Sequence, residues 1–198
     1  MNNKEIQEQR MRGYFIQATK DILKGEGLRG VNVRSIARQA GYSYATLYNY
    51  FKDVKDLIFE CVKDFLDECA EFVSRETENC TSGMEKIQAI SKAYIKYFIQ
   101  YPGTFELLFI EKMYNLSKKQ ETIDLITSFF DNFCLPEWNY CLSNGIMKKE
   151  DIEFARQNLN YTISGMLLLY LHRANPENYN SFIAIADKQI SQILAVCA

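Results

Sequence analysis

Between Gly41 and Phe51 the sequence reads GYSYATLYNYF: four tyrosines and a phenylalanine, one threonine, one asparagine and no acidic residue. Each tyrosine carries an apolar ring with a hydroxyl at its tip, which suits a surface that is partly apolar and partly polar. Bond-making chemistry has little to work with. His172 is the only histidine, and no glycine-rich phosphate loop or nucleophile–base pairing accompanies it. The six cysteines (Cys61, Cys69, Cys80, Cys134, Cys141 and Cys197) contain no CxxC pair. A zinc site needs about four ligands, so these thiols read as small buried hydrophobes. The chemistry expected is therefore binding, with no metal, no cofactor and no enzymatic activity.

A binding surface must be held by something. Of 198 residues, 47% are apolar and 24% charged, with only nine Gly and three Pro. That composition supports a sizeable core built from long helices. Apolar residues recur at helical spacing from Phe15 through Ala18 to Ile22 and Leu23, which predicts a first helix over about 4–24. The glycines of GEGLRG end it. Asn32 is a good cap for a second helix carrying Val33, Ile36, Ala37 and Ala40, stopped at Gly41. Ser43 can cap a third, from Tyr44 to about Phe51, with Leu47 and Phe51 inward. Two short helices joined by a Gly-containing turn form a helix-turn-helix. Further helices are expected over about 54–79, from Ile87 to Tyr101, around Phe105, Leu108, Phe109 and Met113, from Ile123 to Pro136, over about 151–173, and from Ile183 to Val196. The fold class is all-α, with eight or nine helices.

Charge divides the chain. Residues 1–55 hold ten Lys/Arg against five Asp/Glu, whereas residues 56–198 hold thirteen against twenty. A basic first quarter on an acidic remainder suits contact with a polyanion; a chance fluctuation in surface charge would look the same until a motif decides. The amino-terminal MNNKEIQEQRMRGYF lacks the apolar core of a signal peptide. The most apolar run, YTISGMLLLYL, spans eleven residues and is too short to cross a bilayer. A cytoplasmic protein without membrane contact is expected.

The motif is NVRSIARQAGYSYATLYNYFKDVKDL, residues 32–57. It resembles the DNA-binding domain of the TetR (tetracycline-repressor-like) family of bacterial regulators, supplying Asn32, Ile36-Ala37, Ala40-Gly41, Ser43, Leu47-Tyr48 and Phe51 in the family's register. The resemblance covers about residues 9–69, taken as one domain with its helix-turn-helix at 32–51; residues 70–198 form the other. It implies a recognition helix in the major groove of double-stranded DNA. Tyr44 and Ala45 are then expected at base edges, Thr46, Tyr48 and Tyr50 at phosphates through their hydroxyls, and Asn49 at either. Ser43, besides capping, and Arg34, Lys52 and Lys55 fit phosphate contacts. Three departures stand out. Asn32 stands where the family usually has Thr, a conservative exchange at the cap. Ser35 occupies a position often acidic in the family, which predicts a weaker reciprocal cap. Val54 stands where the family usually has Lys, with Lys55 one residue later, about 100° further round the helix.

The resemblance also implies a ligand-responsive, dimerising body. Its pocket is expected among Tyr94, Phe98, Tyr101, Phe105, Phe109, Phe129, Phe133, Trp138 and Tyr161, for a largely apolar or aromatic small molecule. Its homodimer interface is expected on the last two helices at Leu159, Ile163, Gly165, Met166, Leu167, Tyr170, Ile190 and Leu194. A two-fold dimer implies a palindromic operator. The implied function is a repressor that a ligand releases by shifting the fourth helix; a DNA-bound activator or structural factor acting through protein partners, without an effector, is the alternative.

Overall fold

The computed structural model describes residues 2–110 and 119–196. Among these it contains nine α-helices and no strand: α1 (Asn3–Glu26), α2 (Val33–Ala40), α3 (Tyr44–Tyr48), α4 (Val54–Glu76), α5 (Met84–Gln100), α6 (Pro102–Phe105), α7 (Lys119–Ser143), α8 (Lys149–Arg173) and α9 (Tyr179–Val196). A 3-10 turn at Leu28–Gly30 follows α1, and a π-helical turn at Glu106–Ile110 follows α6. Met113 and Cys197 lie outside the described residues.

Two compact units divide the chain, the first running up to Asp67 and including Tyr101–Ile126, the second taking Glu68–Gln100 and residues from Thr127 onward. The division falls inside α4, and residues 101–126 go with the first unit.

In the first unit Phe15, Ile22, Ile36, Leu47, Phe51 and Leu57 form one buried cluster, with Met11, Ile16, Val31, Ala40, Tyr50 and Val54 packed around it. Phe15 is fully buried and meets Phe51 edge-on, their ring centroids 6.4 Å apart. Burying such a ring contributes about 1.5–3 kcal/mol. Polar contacts set α1 against α4: Lys20 Nζ meets Asp64 Oδ2 at 3.0 Å, and Cys61 Sγ donates to the Ile16 carbonyl at 3.7 Å.

The second unit is built on α5, α8 and α9. Ile87, Ile90, Ile95 and Phe98 of α5 are buried, as are Ile152, Ala155, Leu159, Ile163 and Leu167 of α8 and Phe182, Ala186, Ile190 and Leu194 of α9. The four-residue steps in α8 and α9 are those of a helix face committed to a core. Gln88 Nε2 donates to Ser191 Oγ at 2.9 Å, and Tyr170 stacks on Phe182 at 4.3 Å. Glu137 is buried, yet its carboxylate accepts from the Gly83 N–H at 2.8 Å and faces Lys86 Nζ at 3.5 Å.

Among the boundaries that differ from the sequence expectation, two have a plain physical cause. α7 does not stop at Pro136 but continues to Ser143. The missing N–H of Pro136 forfeits one helical hydrogen bond, but Asn132, whose carbonyl is freed, lies at an exposed position open to water. Beyond it, Trp138 and Cys141 are buried and hold the helix on course. α3 ends at Tyr48 rather than Phe51, because the Leu47 carbonyl takes both the Tyr50 and Phe51 amides at 3.0 Å and the chain turns away.

Burial pushes the Cys61, Cys69 and Cys134 thiols far above their ordinary value, whereas Cys80 is only half-buried. The thiolate is the reactive species. Of these four, a thiol-specific reagent at about pH 8 is expected to label Cys80 first, with the other three reacting only on unfolding; peptide mapping by mass spectrometry reads the order.

Candidate nucleic-acid interface

The reading head is assembled from caps outward. Asn32 Oδ1 accepts from the Arg34 and Ser35 amides at 3.1 and 3.0 Å, and the Asn32 amide donates back to Ser35 Oγ at 3.1 Å. The reciprocal cap is thus complete. A serine hydroxyl accepts the Asn32 N–H as a glutamate would, which corrects the expectation that Ser35 weakens it.

At the other end of α2, Gly41 takes φ +77° and ψ +24°. Its amide donates to the Arg38 carbonyl at 3.2 Å, and that of Tyr42 to the Ala37 carbonyl at 2.9 Å. This paired closure stops α2 and turns the chain into α3. No atom lies within 4 Å of where a Cβ on Gly41 would stand. The glycine is there for its left-handed backbone, not for a close helix crossing. Ser43 then caps α3, its Oγ accepting from the Thr46 amide at 3.1 Å and lying 2.8 Å from Thr46 Oγ1.

Leu47 is fully buried and Phe51 nearly so, which leaves the opposite side of the segment open. Tyr44 is 63% and Tyr48 51% exposed. Ser43, Ala45 and Asn49 are exposed as well, and Thr46 half-buried. Arg34 in the first turn of α2, and Lys52 and Lys55 around the start of α4, are all exposed. Tyr50 differs from the rest. Its ring is half-buried, 6.1 Å from that of Phe15, and its carbonyl accepts from Arg12 Nη1 at 2.5 Å. Tyr50 therefore sits at the edge of the core rather than on the open face, because the turn after α3 carries it back toward α1.

Two aromatics beside this face were not among the expected site residues. Tyr42, in the turn, and Tyr14, on α1, are 39% and 53% exposed, with ring centroids 6.1 Å apart. Tyr42 was legible as an aromatic next to the Ser43 cap. Tyr14 was not, since only the fold brings α1 alongside the turn.

The residues expected to line a pocket are divided between the two units. Tyr101, Phe105 and Phe109 belong to the first unit. In the second, Tyr94, Phe98, Phe129 and Phe133 form a cluster, with Tyr94 4.8 Å from Phe98 and 6.5 Å from Phe133. Burial raises the Tyr94 phenol well above its ordinary value. Trp138 is buried, and Tyr161 is 76% exposed, on the outside of α8 instead of lining a cavity. One open groove of 910 Å³ in the second unit is lined by Val73 and Thr77 of the α4 end, Ile90 of α5, and Phe133 and Glu137 of α7. Of the expected dimer residues, Leu159, Ile163, Leu167, Ile190 and Leu194 are buried within the protomer, and Gly165, Met166 and Tyr170 are half-buried. The large apolar residues left open on these helices are Phe154, Tyr161, Leu168 and Leu169 of α8 and Tyr179, Ile185 and Val196 of α9.

Gly41→Ala tests the turn in isolation, since the added methyl meets nothing. It is expected to cost about 1–2 kcal/mol, seen as a lower urea midpoint at unchanged m-value; an unchanged midpoint would rule out the left-handed turn.

Residues 15–61 match the family model described as "Bacterial regulatory proteins, tetR family". Over 190 residues the chain is 21% identical to the fatty acid metabolism regulator protein of Bacillus subtilis, covering 91% of this chain and 92% of that one. The fatty acid degradation regulator FadR of Bacillus halodurans superposes with a TM-score of 0.73 at 16% identity, over 92% of this chain and 94% of that one. FadR of Bacillus subtilis in complex with stearoyl-CoA gives 0.70 at 19%, over 92% and 97%.

Proposed function

We propose that this TetR-family chain is a DNA-binding transcriptional regulator that works as a homodimeric repressor, released from a palindromic operator by a ligand with a long apolar part. The observation that carries the reading is the division of labour around α3. An open face of hydroxyls and apolar surface, at Tyr44, Ala45, Tyr48 and Asn49, carries no formal charge. Cations flank it at Arg34, Lys52 and Lys55. Phosphate contacts supply affinity and register, while uncharged groups inserted in the major groove discriminate bases. Tyr44 and Ala45, at the amino-terminal end of α3, take the base-edge role, and a thymine methyl is a fitting partner for either.

Dimerisation through α8 and α9 is supported by what the protomer leaves uncovered. Phe154, Tyr161, Gly165 and Leu168 follow one another at steps of seven, four and three residues, so they share one face of α8. No atom lies within 4 Å of a Cβ built on Gly165, which leaves room there for a second helix to approach. Glycine inside a helix costs about 1 kcal/mol relative to alanine, and close approach of a partner offsets it.

The apolar effector is supported by the groove beside the Tyr94–Phe133 cluster and by the stearoyl-CoA bound to the Bacillus subtilis FadR. Long-chain acyl thioesters are the first class to screen. A ligand releases the operator only through its different affinities for the two conformations of the dimer.

Selection of bound duplexes from a random pool supplies the operator and tests the reading; a chain that enriches no sequence at low salt overturns it. On that operator Tyr44→Ala is expected to change the preferred bases. Lys55→Ala is expected to weaken all sequences alike and to flatten the slope of log K against log salt by about one unit. Tyr161→Glu places a charge on the open face of α8 and is expected to convert the dimer into a 23.1 kDa monomer in light scattering after size exclusion. A wild type that is itself monomeric at micromolar concentration excludes the dimer.

A further inference from the structure

The recognition helix is short. Five residues, Tyr44–Tyr48, fall well below the length at which a helix persists unaided. Ser43 closes its amino-terminal end and Leu47 anchors its inner side. What closes the far end comes from α1. Arg12 reaches across thirty-eight residues of chain to donate from Nη1 to the Tyr50 carbonyl at 2.5 Å. In the same pose its guanidinium carbon lies 4.3 Å from the centroid of the Phe51 ring. One side chain thus holds the backbone of Tyr50 and the ring of Phe51, two and three residues past the recognition helix.

Arginine suits this double contact. Its planar fork donates along an edge while its face stacks on an aromatic ring. A lysine ammonium, a compact charge on a flexible stem, cannot do both. The surroundings also argue against a phosphate at this point. Arg12 is half-buried and lines a groove of 260 Å³ with Phe51, Lys52, Asp56, Phe59 and Glu60, so the two carboxylates there balance the charges of Arg12 and Lys52 and leave no net attraction for an anion inside it.

We propose that Arg12 is a positioning residue: it clamps the carboxyl-terminal end of the recognition helix by its hydrogen bond to Tyr50 and its stack on Phe51, and sets the angle of the reading face without touching DNA. The inference rests on the DNA-binding reading for its purpose and on α1–α3 geometry for its substance, so the test has two arms.

In the first arm, hydrogen exchange is followed on the free full-length protein in peptides covering residues 43–51. Arg12→Lys is expected to speed exchange there while peptides from α8 and α9 stay as in the wild type. Phe51→Leu keeps an apolar anchor but removes the ring, and on that background Arg12→Lys is expected to add less than it does alone. In the second arm, operator affinity is measured from low to moderate salt. Arg12→Lys is expected to weaken binding about tenfold, the loss of one hydrogen bond to a charged group, with the slope of log K against log salt unchanged. Wild-type exchange and affinity in Arg12→Lys would overturn the clamp. So would Arg12→Ala flattening the salt slope by about one unit while Arg12→Lys binds normally, since Arg12 would then be a phosphate contact. A wild type that binds no duplex removes the regulator reading and leaves the exchange arm to judge the clamp.

Discussion

The reading head depends on Phe15. Its ring is the meeting point of three elements, with Tyr42 of the turn at 5.7 Å, Tyr50 at 6.1 Å and Phe51 at 6.4 Å. A two-turn α2 and a five-residue α3 have too few internal hydrogen bonds to pay the entropy of forming alone. They persist because their inner residues, Ile36 and Leu47, close over that ring and are both fully buried. The caps at Asn32, Gly41 and Ser43 then fix where each helix starts and stops, so the angle between them is set locally and the depth of packing is set by α1. Everything exposed on α3 owes its direction to that arrangement.

Much of this was legible in the residues. Leu47 and Phe51, four apart, had to face inward together, and the tyrosines between and before them had to find other surfaces. The spacing could not say that Tyr50 would lie along the core, since that follows from Phe15 of α1 packing against the segment just past α3. Nor could it show the length of α3. A helix whose next residues turn around one shared carbonyl looks, in sequence, like a helix that goes on. Pro136 misled for a related reason. Local rules end a helix at proline, and burial of Trp138 and Cys141 beyond it outweighs one lost hydrogen bond.

α8 shows a different limit of pattern reading. It is apolar on two faces: Leu159, Ile163 and Leu167 are spent inside the second unit, while Phe154, Tyr161 and Leu168 are left outside. Periodicity reports that a stripe exists but not which neighbour it meets. The strongest stripe is buried in the protomer's own core, and the residues available to a partner are the ones left over. Tyr161, expected to line a cavity, turns out to be the most open aromatic among the described residues.

The turn at Gly41 and the cap at Ser43 separate folding from display. Ala45 and Asn49 are exposed, as are Tyr48 at 51% and Tyr44 at 63%. Exchanging such side chains alters what the helix presents at almost no cost in stability. On the proposed role of this face, selection can retune what is read through a handful of codons while the packing beneath stays constant. In a duplicated copy of this chain, a new target requires no new fold, and stability places no barrier between the old preference and the next.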